Sequence, residues 1–261
     1  MSIKIGVPSN TIYDRIFSRF DEIKDTFGLE LKRLPESKLI DLFHLNQFDI
    51  ALLSPIGYAS NPSNADLRII PSACLSTASA TGLAEFSFKS GLTDLRTCAV
   101  DGSGDFLIET AKILLEERYS IAPNFVDSAP PVSRMLEQAD SAIAWGKADS
   151  AAMSMDISEL WFDSYEMPLP IAFWVVRNEE YPEQIVDIIK GLHERDIPIE
   201  ESIYSEIDNS GEAELLGKLF WYWSQDIENA LEETFQLLFC RQMIPVIPAI
   251  KILGRETELL K

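Results

Sequence analysis

The sequence predicts an α/β protein of two lobes, each a mostly parallel sheet flanked by helices, joined by two crossing strands. Three observations carry this. Residues 3–70 follow a β-α-β-α-β order, residues 97–145 repeat an α/β cycle, and an intensely apolar run over residues 169–177 brings the chain back.

Residues 3–7 read as a buried strand that breaks into Ser9-Asn10-Thr11, and residues 13–20 have helical spacing. Residues 29–34 alternate as a strand with one wet face, and residues 36–45 read as a helix with Ser37 available as its cap. Residues 48–53 and 67–70 are buried strands, and residues 83–89 form another near the first crossing, at 76–90. The second cycle has a strand at 97–100, a tight turn at 101–105 and an amphipathic helix at 106–118. A strand at 124–126, a helix at 132–138 and a buried strand at 141–145 complete it. The second crossing lies near 168–178. Helices are expected over 182–194, 212–223 and 226–241, with a docked extended segment after them at 244–248. Phe220-Trp221-Tyr222-Trp223, placed at helical spacing, reads as core or homodimer packing. These boundaries give one lobe over 1–82 and 175–261, with a second, over 83–174, inserted in it. Ligands of open α/β sheets bind beyond the carboxyl ends of strands, so a ligand cleft is expected between the lobes.

With 261 residues, 46% of them hydrophobic, the chain can bury the cores of two lobes. No apolar stretch approaches the ~20 residues of a membrane span. The start, Met1-Ser2-Ile3-Lys4, lacks the apolar core of a secretion signal, so a cytoplasmic location is expected. Asp and Glu number 42 against 22 Lys and Arg, a net charge of −20. Such a surface keeps the chain soluble and repels nucleic acid and anionic membranes, so neither is an expected partner. Cys74, Cys98 and Cys240 are odd in number and form no CxxC, which suits reduced, buried thiols. With only His44 and His193, no metal site is expected.

Five small polar turns come after strand patterns and are the candidates for chemistry. They are Ser9-Asn10-Thr11, Ser54-Pro55-Ile56-Gly57, the run from Ser76 and Thr77 through Ser79 to Thr81, Asp101-Gly102-Ser103-Gly104, and Trp145-Gly146-Lys147. Hydroxyls, amides and free N–H groups at helix starts bind carboxylates without fixed positive charge. The same residue types also serve simply as helix caps. Asp101 and Asp105 bracket the glycine turn, where helix electrostatics alone favour Asp. Glu85 lies in an apolar strand and is expected to face solvent. The Gly102-Ser103-Gly104 turn lacks the Lys of a P-loop, and the chain has no GxSxG or HExxH.

Several segments resemble one family when taken in order. They are residues 6–11, residues 48–59 (Phe-Asp-Ile-Ala-Leu-Leu-Ser-Pro-Ile-Gly-Tyr-Ala), residues 112–119, residues 137–146 (Glu-Gln-Ala-Asp-Ser-Ala-Ile-Ala-Trp-Gly) and residues 169–177. The chain resembles the chorismate dehydratase branch of the menaquinone-biosynthesis (futalosine pathway) family. That resemblance implies a periplasmic-binding-protein-like type II fold working in the cytoplasm. It also implies a cofactor-free lyase that removes water from chorismate to give 3-[(1-carboxyvinyl)oxy]benzoate. Asn10 matches the family's active-site Asn and is the candidate catalytic residue, and Ser54 matches a family serine suited to hold a carboxylate. Ser9, Thr11, Ser76, Thr77, Ser79, Gly102, Ser103, Gly104 and Trp145 complete the substrate-binding candidates for a small carboxylate-bearing ligand. Residues 79–86 and 102–107 depart from the family's usual pattern, and Asp105 adds a charge that opposes a carboxylate. Two alternatives therefore stand beside the dehydratase: a cytosolic small-anion binding protein without catalysis, and a divergent paralogue such as 1,4-dihydroxy-6-naphthoate synthase.

Overall fold

A computed structural model describes residues 2–60, 66–92, 94–102, 104–148, 153–178, 184–205 and 213–255. The chain opens with β1 (Ile3–Pro8), a 3-10 turn at Thr11–Tyr13, α1 (Asp14–Phe17) and α2 (Phe20–Phe27). β2 (Leu29–Leu34), α3 (Glu36–His44), β3 (Ile50–Leu53), α4 (Pro55–Ala59) and β4 (Leu67–Ser79) come after them. The helix expected at 13–20 is thus broken into short pieces, and α2 extends beyond it. Gly28 ends α2 at φ 65°, a left-handed cap that turns the chain directly into β2.

Next come β5 (Ala84–Phe88), β6 (Thr97–Val100), α5 (Phe106–Tyr119), β7 (Asn124–Asp127), α6 (Val132–Gln138) and β8 (Ser141–Trp145). β9 (Met153–Asp156) and α7 (Ile157–Tyr165) have no counterpart in the sequence pattern. The chain ends with β10 (Leu169–Arg177), α8 (Ile185–Leu192), β11 (Glu200–Tyr204), β12 (Leu215–Tyr222) and α9 (Gln225–Cys240). No helix among the described residues is long and apolar enough to cross a membrane.

Two compact units result. One comprises Met1–Ser76, Leu169–Glu201 and Phe220–Lys261, and the other Thr77–Pro168 and Ser202–Leu219. The first holds most of a seven-stranded sheet in the order β11-β12-β4-β10-β3-β1-β2. β1 runs parallel to β2 and β3, while β10 runs antiparallel to β3. All four residues of β3 are buried, as is every residue of β10 except Arg177. Strands covered on both faces need such unbroken apolar runs. Tyr58 anchors one face, stacked on Phe235 and edge-on to Phe173, with its hydroxyl donating to Ala249 O at 3.0 Å. Arg177 closes the strand by donating to the carbonyls of Phe43 and Phe48, its guanidinium 4.2 Å from the Phe43 ring.

The second unit holds a five-stranded sheet, β7-β6-β8-β5-β9. β6 is parallel to β7 and β8, and β5 is antiparallel to β8 and β9. Phe106, Leu107, Ala111 and Leu114 of α5 are fully buried.

The helix expected over 212–223 is instead strand β12. From Gly217 to Tyr222 its burial alternates residue by residue, and its aromatic, β-favouring end suits a pleated surface better than a helix. Phe220-Trp221-Tyr222-Trp223 accordingly splits between two faces. Gly217 also lies so close to the β4 end that an added Cβ would stand 2.3 Å from Ala80 O. Gly217→Ala is therefore expected to cost about 3 kcal/mol through backbone displacement, read as a lowered urea midpoint. Unchanged stability would mean that the two backbones do not touch. Cys240, expected to be buried, is exposed, whereas Cys74 and Cys98 are buried.

Candidate functional site

The first unit brings two of the predicted turns together. β1 and β3 are adjacent and parallel, with Ile5 level with Ile50 and Gly6 with Ala51. Continuing that register sets Ser9 level with Ser54, so Asn10 and Ser54 leave the same sheet end side by side. Each caps the helical turn after it. Asn10 Oδ1 accepts from Ile12 N at 3.1 Å, and Ser54 Oγ accepts from Gly57 N at 3.3 Å, with Pro55 opening α4. These bonds use acceptor capacity only. The Asn10 amide N–H groups and the Ser54 hydroxyl proton donate to no described residue and remain available. Asn10 is half-buried, Ser54 is 2% exposed, and Ser9 and Thr11 are exposed.

Two arginines of this unit, Arg15 and Arg33, are paired with carboxylates. Arg15 donates to Glu194 and Glu201, both at 2.6 Å, and its guanidinium lies 5.0 Å from the Trp221 ring. Those two carboxylates outweigh the opposing effect of burial and raise the Arg15 pKa. Arg33 pairs with Asp14 at 2.8 Å. Both arginines are thus committed to carboxylates.

β4 carries buried hydroxyls. Ser72, Ser76 and Thr77 are buried, and their oxygens have no hydrogen-bond partner among the described residues. Ser76 lies two residues from Cys74, whose thiol burial pushes strongly upward. Buried hydroxyls without partners are costly unless a ligand or water completes them. Ser79 ends the strand at φ 59°, in the left-handed region that a serine rarely occupies.

In the second unit, the glycine turn precedes α5. Gly102 and Gly104 adopt φ 81° and 93°, while Ser103 lies outside the described residues. Asp105 stands at the N-cap position, but its side chain does not cap the helix. It accepts from Trp145 Nε1 at 3.0 Å instead. A Cβ at Gly102 would stand 2.5 Å from that carboxylate. Glu109 reaches back to Gly104 N at 3.1 Å and takes Lys112 at 2.7 Å. Burial raises the Asp101 pKa. The turn is thus supplied with its own carboxylates, and the Trp145 N–H is engaged. Glu85 is half-buried and accepts from Ala148 N at 3.0 Å, a structural use.

One residue escapes the sequence pattern. Asp156, at the end of β9, accepts from four backbone N–H groups: Thr81 at 3.0 Å, Gly82 at 2.5 Å, Ser158 at 2.8 Å and Glu159 at 3.0 Å. It caps α7 and ties down the loop after β4, where Thr81 also donates its hydroxyl to Ser158 at 3.2 Å. Burial pushes its carboxyl upward against the pull of those amides. A signal does exist, since Asp156-Ile157-Ser158-Glu159 is an Asp-x-x-Glu capping box. Among the described residues, no three His, Cys, Asp or Glu side chains are placed to hold a metal ion.

Comparison with known proteins completes the picture. A family profile described as menaquinone biosynthesis matches residues 13–196. Protein AF1704 from Archaeoglobus fulgidus superposes with a TM-score of 0.57 at 13% identity, covering 93% of this chain and 98% of that one. An ABC transporter protein from Parabacteroides distasonis gives 0.61 at 12% identity, covering 98% and 99%. The periplasmic aliphatic sulphonate binding protein SsuA from Escherichia coli gives 0.55 at 7% identity, covering 94% and 89%. At such identities these likenesses speak for the fold alone, and the fold is that of the type II periplasmic binding proteins.

Proposed function

The chain belongs to the menaquinone-biosynthesis family, and from that premise we propose that it is a cofactor-free lyase that dehydrates chorismate to 3-[(1-carboxyvinyl)oxy]benzoate. The observation that carries this reading is the pairing of Asn10 and Ser54 at one sheet end, each with donors left over after capping.

The reaction removes a proton from the ring carbon that bears the enolpyruvyl ether and hydroxide from its neighbour. The C–H electron pair becomes the third ring double bond as the C–O bond breaks, and proton and hydroxide leave as water. The ring carboxylate and its conjugated double bond delocalise charge that develops on the first carbon, and aromatisation drives the elimination. Such chemistry asks for orientation and for donors aimed at the departing oxygen, not for a strong nucleophile. In this reading Asn10 Nδ2 donates to the departing hydroxyl, and the Ser54 hydroxyl donates to a substrate carboxylate. Ser76, with a buried hydroxyl short of partners, is a further donor to the ligand. Neutral donors suit a molecule of net charge −20 whose nearby arginines are paired.

The test is direct. Purified protein mixed with chorismate is expected to yield the aromatic product, monitored by chromatography and ultraviolet absorbance. Ser54→Ala is expected to raise KM about tenfold, the loss of one hydrogen bond to a charged group, with a smaller change in kcat. Thermal stabilisation by chorismate without turnover would replace this reading with that of a binding protein.

A further inference from the structure

β2 is the last strand of the seven-stranded sheet, and no described residue pairs with its outer edge. Ser9 N donates to Leu34 O and Ile3 N to Gly28 O, so the even-numbered residues of β2 turn their backbone groups toward β1. Backbone groups alternate in direction along a strand. Leu29, Leu31 and Arg33 therefore present N–H and C=O outward. The flanking helix is also incompletely covered. α2 packs on β2 yet buries none of its residues fully, and Phe20, Ile23, Lys24 and Phe27 are each half-buried. A cavity of about 650 Å³, lined in part by Phe20, Lys24, Leu29, Leu31 and Lys32, runs along this edge.

We propose that this edge receives β2 of a second copy of the chain, antiparallel about a two-fold axis through Leu31. The strand itself selects the occupant and the register. With the axis at Leu31, Leu31 pairs with its own counterpart and Leu29 with the partner's Arg33. All of these residues have outward backbone groups, so the hydrogen bonds form in reciprocal pairs. Glu30 and Lys32 share one face of the strand. In this register Glu30 stands opposite the partner's Lys32, and by symmetry the pair occurs twice. The pairs fall at the close, non-hydrogen-bonded positions, where side chains interact most strongly. Moving the axis to Glu30 or Lys32 would set like charges face to face. Alternating charge normally deters stray strands from an open edge; here it is satisfied by the strand's own copy in one alignment.

The experiment is sedimentation equilibrium of the full chain over a wide concentration range, in low and high salt. A reversible dimer that weakens with salt is expected. Glu30→Lys and Lys32→Glu, both at exposed positions, should each raise the dissociation constant about tenfold or more, and the double reversal should restore it. Leu31→Pro removes an N–H that points away from β1 together with a half-buried side chain; the dimer should be lost while circular dichroism shows the secondary structure retained. A wild-type monomer at every concentration would overturn the proposal. So would a dimer indifferent to these substitutions, or a double reversal that fails to restore association.

Discussion

Asp156→Ala is expected to destabilise the second unit by about 3 kcal/mol. Loss of a helix cap costs about 1 kcal/mol. Two further amides, on Thr81 and Gly82, would lose the acceptor they now share, at about 1–3 kcal/mol each when buried. Relief of a buried charge offsets part of that sum. Asp156→Asn discriminates among these contributions. Its carbonyl oxygen can still cap Ser158 and Glu159, but its NH2 would then face the N–H groups of Thr81 and Gly82. A loss intermediate between Asp and Ala is expected, read from urea unfolding curves monitored by tryptophan fluorescence. Equal stability of all three proteins would show that the carboxylate holds nothing in place.

The second large effect is catalytic. Asn10→Ala is expected to lower kcat/KM for chorismate by about 10²–10³-fold, the usual cost of removing one donor aimed at a leaving or developing oxyanion. It also removes the acceptor that caps the turn at Ile12, so a control is needed. Asn10→Ser keeps an oxygen able to cap but withdraws the amide N–H groups. It should fold with little loss and still be strongly impaired. Asn10→Asp should be impaired at least as much, since it lacks the donor and sets a negative charge against an anionic substrate. Full turnover by Asn10→Ser would remove Asn10 from the mechanism.

The central strands are legible in the sequence because both of their faces are covered. β3 and β10 up to Arg177 read as unbroken apolar runs, and β1 becomes one after Lys4, which few other arrangements explain. The helix α9 is legible from its period. β12 is not, because Leu215-Leu216-Gly217-Lys218-Leu219 satisfies helical and alternating patterns equally over so short a span. The aromatic stretch after it, Phe220-Trp221-Tyr222, favours a strand, and the alternating burial from Gly217 to Tyr222 decides it. β9 and α7 escape notice because the alternation of Met153-Ser154-Met155-Asp156 spans only four residues, too few to stand out, although the capping box beginning at Asp156 is readable. At the candidate site, Asn10 and Ser54 can be named individually, and their caps are foreseeable from residue type. No local pattern conveys that adjacent parallel strands deliver them to one sheet end, side by side. Nor does any show that Asp105 turns from its helix to Trp145, since that contact joins residues on separate elements.

The interleaved strand order has a consequence for synthesis. β10 lies between β4 and β3, and about 90 residues of the other unit are made between β4 and β10. At roughly 5–20 residues per second, the emerging chain spends about 5–20 s with two apolar strand edges waiting for the central strand. During that interval the nascent polypeptide on the ribosome is a natural client for a holdase chaperone. The edges of β3 and β4 that face β10 stay open until Leu169–Arg177 has left the exit tunnel, and the other edge of β4 until Leu215–Tyr222 follows.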